Sequence, residues 1–140
     1  MRILIPVDGS GRSLAAVRHA VQVLAPAISG LEIHLLNVQP LLPAAATSLI
    51  DSAVLRDFHR EEGTKALAAA RQLLDEARLQ YESHAAVGDP AETIVAYAEQ
   101  RDCTAIVMAT RGLGHAAGLL LGSVAHKVLQ LSKVPVTLVK

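Results

Sequence analysis

The stretch GDPAETIVAYAEQRDCTAIVMATRG, residues 88–112, decides the fold because it joins a helix signal to a strand signal. Asp89 stands at a predicted helix N-cap, Pro90 at the first helical position and Glu92 at the third. Ile94, Val95 and neighbouring alanines then recur at helical spacing. The run CTAIVMA, residues 103–109, follows and is typical of a buried strand. The stretch therefore predicts a helix that leads directly into a strand of a parallel sheet.

The same alternation extends in both directions along the chain. Apolar runs at residues 2–8, 31–38 and 134–139 predict three more strands, and the segment YESHAAV at residues 81–87 is a candidate for a fourth. Helical spacing predicts helices that begin near Ser13, near Ile50 and at Ser123, and the last ends near Leu131. Strands that alternate with helices imply right-handed crossovers and a parallel sheet covered on both faces. The sequence predicts an α/β fold.

The long helix predicted at residues 50–79 has an uneven pattern. Its solvated side is expected to carry RDFHREE, residues 56–62, and Gly63 is expected to weaken its middle by about 1 kcal/mol relative to alanine. Its buried face is expected to carry Val54, Phe58, Leu67, Ala70 and Leu74.

Composition excludes several classes of function. The chain has 140 residues, with 13 basic and 13 acidic side chains, so it lacks the basic field that sequence-independent nucleic-acid binding needs. Cys103 is the only cysteine, which excludes an internal disulfide. The apolar run near the start is too short for a signal peptide or a membrane span. We expect one cytoplasmic domain over residues 1–140, without nucleic-acid or membrane partners.

Ligands of such sheets bind beyond the carboxyl ends of the strands, and two loops of unusual composition fall there. The loop after the fourth strand is rich in glycine, and glycine lets backbone amides approach an anion closely. Arg111 adds charge, and Ser123 with the free amides of the last helix would bind phosphate. A connector whose Ser123 is simply an N-cap explains the same composition, so both interpretations remain open at this point.

Asp8 ends the first strand and also has two interpretations. It either accepts hydrogen bonds from a base or ribose, or holds a metal, or it forms a turn and caps the first helix. The six histidines are scattered without metal-ligand spacing, so the sequence predicts no metal site. His115 alone lies in the glycine-rich loop. Neither Ser10 nor Ser123 is marked as a nucleophile, and we predict no catalytic residue.

The fifth predicted strand contains Pro135, and a strand with proline belongs at a sheet edge. An exposed edge favours pairing with a second copy of the chain. A homodimer through residues 135–139, from Pro135 onward, is the resulting hypothesis.

Three segments together resemble the universal stress protein family: ILIPVDGS at residues 3–10, the opening stretch at 88–112, and LLLGSVAHKVLQLSKVPVTLV at 119–139. The resemblance covers essentially the whole chain. It implies an open five-stranded parallel sheet in the order 3-2-1-4-5, with helices on both faces. This is the three-layer arrangement of adenine nucleotide α-hydrolase-like folds. The resemblance also implies dimerisation through strand five, which is usual in the family.

One branch of that family binds ATP and carries a motif of glycine, two residues, glycine, nine residues, then glycine with Ser or Thr. Gly112, Gly122 and Ser123 fit this pattern, whereas Ala109 replaces the first glycine. Carried over, the resemblance places Pro6, Val7 and Asp8 at the nucleoside and the Val38 backbone at the adenine. It places Met108, Ala109, Arg111 and Gly112 at the ribose and phosphates, and Gly122, Ser123, Val124 and Ala125 at the phosphates, with Val124 acting only through its amide.

The resemblance implies a regulatory stress-response module that binds ATP, ADP or AMP together with Mg²⁺. It also implies a homodimer, with a protein partner that the sequence does not specify. Alanine adopts strand dihedrals without strain. The methyl group of Ala109 would narrow the pocket but would remove no phosphate donor. We therefore expect adenine-nucleotide binding to be retained. Two alternatives remain: a slow ATP-hydrolysing enzyme that uses Asp8 and His115, and a dimerisation module that binds no nucleotide.

Overall fold

The computed structural model describes residues 1–113 and 121–140. Its five strands form one parallel sheet in the order β3-β2-β1-β4-β5, which confirms the predicted topology. Their bounds are β1 Arg2–Pro6, β2 Glu32–Gln39, β3 Tyr81–Val87, β4 Ala105–Ala109 and β5 Val136–Val139.

Helices connect successive strands, as predicted. The first connection is α1 Leu14–His19, a π-helical turn Ala20–Leu24 and the short α2 Ala25–Ala27. The others are α3 Ala44–Thr47, α4 Ser52–Glu76, α5 Pro90–Gln100 and α6 Ser123–Leu131. The sequence pattern did not predict α3, because four alanine-rich residues show no periodicity. The Asp89 side chain accepts a hydrogen bond from Glu92 N–H at 3.0 Å, which confirms the predicted start of α5.

Apolar clusters cover both faces of the sheet, because successive residues of a strand point to opposite sides. On one face Ile3, Ile5, Ile33 and Leu35 pack against α1 and α4. On the other face, Leu4, Leu36, Ile106 and Met108 pack against α5 and α6. Strands buried on both faces read as continuous apolar runs, which is why the sequence identified them.

The face of α4 that packs on the sheet differs from the prediction in its first half. Val54 and Phe58 are 60% and 45% exposed, whereas His59 is buried. The prediction was wrong because Phe58 precedes Leu67 by nine residues, which is about half a turn around a helix of 3.6 residues per turn. The buried residues follow spacings of three and four: His59, Gly63, Leu67, Ala70 and Leu74.

Gly63 has a packing role that the sequence reading missed. A Cβ added at this position would lie 2.6 Å from the Ala85 Cβ in β3. Glycine therefore allows α4 to approach the edge strand closely. None of the helices within residues 1–113 and 121–140 is long and apolar enough to cross a bilayer.

Candidate functional site

The loops after β1 and β4 meet because these strands are neighbours, with Ile3 opposite Ala105 in the sheet. The backbone N–H of Leu113 donates to Asp8 Oδ2 at 2.8 Å. The two loops of unusual composition are therefore joined at the carboxyl edge of the sheet, as the predicted strand adjacency requires.

Asp8 is held in place by its own loop as well. Its Oδ1 accepts hydrogen bonds from Ser10 N–H at 2.9 Å and from Ser10 Oγ at 2.6 Å. Partial burial acts to raise the pKa of Asp8, but the hydrogen bonds from Ser10 and Leu113 outweigh it and hold the pKa below its usual value. The carboxylate is therefore ionised at neutral pH.

Asp8 forms the turn that one interpretation expected, but it does not cap α1. The N-cap of α1 is Ser13, whose side chain makes no capping hydrogen bond. Ser13 Oγ donates instead to the Ser10 carbonyl at 2.8 Å, and Ser13 N–H donates to Ser10 Oγ at 3.1 Å. These contacts close residues 8–13 into a turn.

Gly112 lies against the Asp8 carboxylate. A Cβ added to Gly112 would overlap Asp8 Oδ2, so close approach explains the glycine here. Only glycine at position 112 allows Leu113 N–H to reach Asp8 in this arrangement. Arg111, next to it, is exposed, and Arg12 Nη1 reaches the Gly112 carbonyl at 3.5 Å.

The glycine-rich loop is closed at its base. Gly122 N–H donates to the Thr110 carbonyl at 2.7 Å, and Thr110 N–H donates to Val139 at the end of β5 at 2.9 Å. A Cβ on Gly122 would lie 3.3 Å from that Thr110 carbonyl oxygen, a tight contact. The start of α6 is thereby fixed beside the end of β4. Gly114, His115 and Gly118 lie outside the described residues.

Gly122, rather than Ser123, is the N-cap of α6, so the N-cap interpretation of Ser123 was wrong. Ser123 is the first helical residue and is exposed, Val124 is half-buried and Ala125 is buried. The first-turn amides of a helix have no intrahelical partner, so this end of α6 presents backbone donors beside an exposed hydroxyl.

The remaining predicted residues form the apolar edge of the site. Val7, Met108 and Ala109 are buried at the ends of β1 and β4, whereas Pro6 and Val38 are half-buried at the ends of β1 and β2. Ala109 has ordinary strand dihedrals, since among the described residues positive φ outside glycine occurs only at Arg78 and Asp102.

Asn37 is a site residue that the sequence reading missed. It is buried, and its Nδ2 donates to the Val7 carbonyl at 2.9 Å. Gln39 Nε2 donates in turn to Asn37 Oδ1 at 2.7 Å. The signal was a single amide within the apolar run LEIHLLNV. Asn37 fixes the backbone of Val7, which directly precedes Asp8.

Comparisons with known proteins agree with this arrangement. The model of the universal stress protein family matches residues 1–140. The chain belongs to the universal stress protein family. The universal stress protein MJ0531 of Methanocaldococcus jannaschii is 34% identical over 142 residues, which cover 99% of this chain and 81% of that protein.

Solved structures of universal stress proteins and related chains show the same fold. The protein MJ0577 superposes with a TM-score of 0.85 at 27% identity, covering 99% of this chain and 94% of that one. A universal stress protein in complex with cAMP has a TM-score of 0.67 at 27% identity, covering 100% and 96%. The five-stranded sheet in the order 3-2-1-4-5 is therefore the fold of this universal stress protein.

Proposed function

We propose that this universal stress protein binds an adenine nucleotide at the carboxyl edge of its sheet. The observation that carries the proposal is the Asp8–Leu113 hydrogen bond, which holds the two motif-bearing loops together beside α6. The related universal stress protein in complex with cAMP, at 27% identity, supports an adenine nucleotide as the ligand.

In this proposal the apolar end of the site receives the nucleoside. Pro6, Val7, Met108 and Ala109 form the wall for base and ribose, and the Val38 backbone contacts the adenine. Asp8 is an ionised acceptor, so it suits a ribose hydroxyl or an adenine amino group and repels phosphate. The charge of Asp8 therefore gives the nucleotide a direction in the site.

The phosphate end lies at the start of α6. The backbone N–H groups of Ser123, Val124 and Ala125 and the Ser123 hydroxyl are the donors, and the positive end of the helix dipole favours an anion there. Gly112 and Gly122 allow the phosphates to approach the backbone, and exposed Arg111 supplies a positive charge. Ala109 keeps strand dihedrals and removes none of these donors.

We also propose that residues 1–140 act as one domain that dimerises through β5. This strand pairs only with β4 among the described strands, so its other edge is open. Ile106 N–H bonds to the Pro135 carbonyl and Thr110 N–H to the Val139 carbonyl. By alternation, the backbone of Val136 and Leu138 points toward the open edge, where a second copy would pair.

The test is a calorimetric titration of the purified chain with ATP, ADP, AMP and cAMP, each with and without Mg²⁺. We expect saturable one-to-one binding of at least one adenine nucleotide, and weaker binding of GTP when GTP is titrated as the control nucleotide. A parallel assay of phosphate release distinguishes a binding module from an ATP-hydrolysing enzyme. Absence of heat and of thermal stabilisation at millimolar nucleotide would contradict the proposal and favour a dimerisation module.

A further inference from the structure

Three potential metal ligands lie together on neighbouring strands, away from the nucleotide edge. His34 in β2 stands opposite Glu82 in β3, and His84 follows Glu82 by two residues, so all three side chains project from the same face. Their ligand atoms lie within 4.8 Å of one another. The cluster combines two imidazoles with one carboxylate.

His34 forms the fixed base of the cluster. It is buried, with an exposed fraction of 4%, and its Nδ1 lies 3.0 Å from the Tyr97 hydroxyl on α5. A metal-bound histidine commonly donates its other ring N–H to an oxygen, which fixes the orientation of the ring. Tyr97 Oη is in the position for that role, which leaves Nε2 for an ion.

Glu82 and His84 form the accessible side. His84 Nε2 lies 3.2 Å from Glu82 Oε2, and their side chains are 34% and 59% exposed, respectively. The rings of His34 and His84 are nearly parallel, with centroids 6.5 Å apart. A tetrahedral zinc ion with bonds of 2.0–2.1 Å needs ligand atoms about 3.3 Å apart, so a small movement of the two exposed side chains closes the site.

We propose that His34, Glu82 and His84 bind a divalent first-row transition-metal ion, with Zn²⁺ as the best match. Two neutral imidazoles and a carboxylate suit Zn²⁺ better than Mg²⁺ or Ca²⁺, which prefer sites made only of oxygen. Three protein ligands leave a position that faces solvent for water or a further donor. His34 lies in the first half of β2, whereas the nucleotide site lies beyond the other end of that strand, so the two sites are separate.

Arg101 carries a positive charge close to Glu82 and would compete with a bound cation for its carboxylate. Its Nη1 lies 3.9 Å from Glu82 Oε2, and its guanidinium is 5.6 Å from the centre of the Tyr97 ring. A bound cation would displace this exposed guanidinium from Glu82. Replacing Arg101 with glutamine therefore removes a competing positive charge and is expected to tighten metal binding.

Spacing along the sequence does not reveal this cluster, because its three residues come from two strands. On a strand the relevant spacing is two residues, as in Glu82 and His84, and the third ligand comes from a strand 48 positions earlier. Only the pairing of β2 with β3 brings His34 to the other two.

The test is calorimetric titration of the full chain, without an affinity tag, with ZnCl₂. The wild-type chain is expected to bind one Zn²⁺, and His84→Ala and Glu82→Gln are each expected to weaken binding at least about tenfold. The control variant His126→Ala removes an exposed histidine on α6 and should bind Zn²⁺ as the wild type does. Both ligand variants replace accessible side chains, and circular dichroism checks that they are folded.

Cobalt provides a second measurement, because bound Co²⁺ in a site with nitrogen ligands gives visible d–d absorption that depends on the geometry. The intense bands of a four-coordinate ion are expected for the wild type and lost in His84→Ala. No zinc binding by the wild type, or equal binding by His84→Ala, would overturn the proposal. Nucleotide titration of His84→Ala is expected to match the wild type, so a failure of the nucleotide site is distinguishable from a failure of the metal site.

Discussion

The Leu113 backbone N–H and the Asp8 carboxylate, 105 positions apart in the chain, are joined by a hydrogen bond of 2.8 Å. This contact links the turn after β1 to the start of the glycine-rich loop. The two loops at the edge where we propose nucleotide binding are therefore held together by the protein's own hydrogen bonds.

Replacing Asp8 with asparagine is expected to destabilise the fold. The asparagine side chain keeps one acceptor oxygen. Its NH₂ group, however, would face an N–H or O–H donor of Ser10 or Leu113 that the Asp8 carboxylate accepts from in the wild type. Loss of a charge-assisted hydrogen bond at a partly buried site costs about 1–2 kcal/mol. Urea unfolding at pH 7 measures the change, and Asp57→Asn, at an exposed position near the start of α4, is the matched control.

The wild type and Asp8→Asn are also expected to differ in how their free energy of unfolding depends on pH. The pKa of Asp8 is lowered in the folded state, so its contribution to stability is fully present above the unfolded pKa, about 3.9, and is lost as pH falls through the folded pKa. The stability difference between wild type and Asp8→Asn should therefore shrink between pH 5 and about pH 3. A difference that stays constant over this range would show that the carboxylate charge is not responsible.

Gly63→Ala is expected to destabilise the protein, although alanine is the better helix former. The added Cβ would lie 2.6 Å from the Ala85 Cβ, so α4 must move away from β3. The propensity gain of about 1 kcal/mol is outweighed by an overpacking cost of about 1–3 kcal/mol, which leaves a net loss of about 1 kcal/mol.

Ala85→Gly in the Gly63→Ala background tests this packing explanation. Removing the opposing methyl group should recover part of the lost stability, and a double-mutant cycle measured by urea unfolding gives the coupling between the two positions. Zero coupling would place the effect elsewhere in the helix.

Restoring the motif glycine through Ala109→Gly is expected to change nucleotide affinity little. Ala109 already adopts strand dihedrals, and the phosphate donors belong to α6 rather than to this position. The affinities of both proteins for the same nucleotide should agree within about threefold, or 0.7 kcal/mol. A much tighter Ala109→Gly variant would show that the alanine methyl group blocks the pocket.

Thr137→Glu is expected to prevent dimerisation through β5. Thr137 is exposed in this edge strand, and two carboxylates brought together by two-fold pairing repel each other. Sedimentation velocity at micromolar concentration should give a dimer for the wild type and a monomer for the variant. Thr104→Glu, at an exposed position before β4, is the control, and a monomeric wild type would contradict the proposed interface.

The order of elements could be predicted because buried strands leave apolar runs and helix starts leave capping signals, as at Asp89 and Pro90. The strand order 3-2-1-4-5 was implied by the family resemblance rather than by these signals. The predicted buried face of α4 was wrong near Phe58, because Phe58 and Leu67 are nine residues apart and therefore lie on opposite sides of the helix. Contacts between loops, such as Asp8 with Leu113, have no periodicity to reveal them. The meeting of His34 with His84 depends on strand register, which the sequence alone does not fix.

The central claim is nucleotide binding beside the start of α6, and Gly122→Val tests it most directly. A Cβ at Gly122 would lie 3.3 Å from the Thr110 carbonyl oxygen and 3.4 Å from Arg111 Cα, so a valine there would press on the loop beside the start of α6. A Cβ at Gly11 meets nothing within 4 Å. Calorimetric titration with the nucleotide that binds the wild type best should show at least about a tenfold loss of affinity, 1.4 kcal/mol, for Gly122→Val and none for Gly11→Val. Equal affinity of a folded Gly122→Val variant and the wild type would contradict the account.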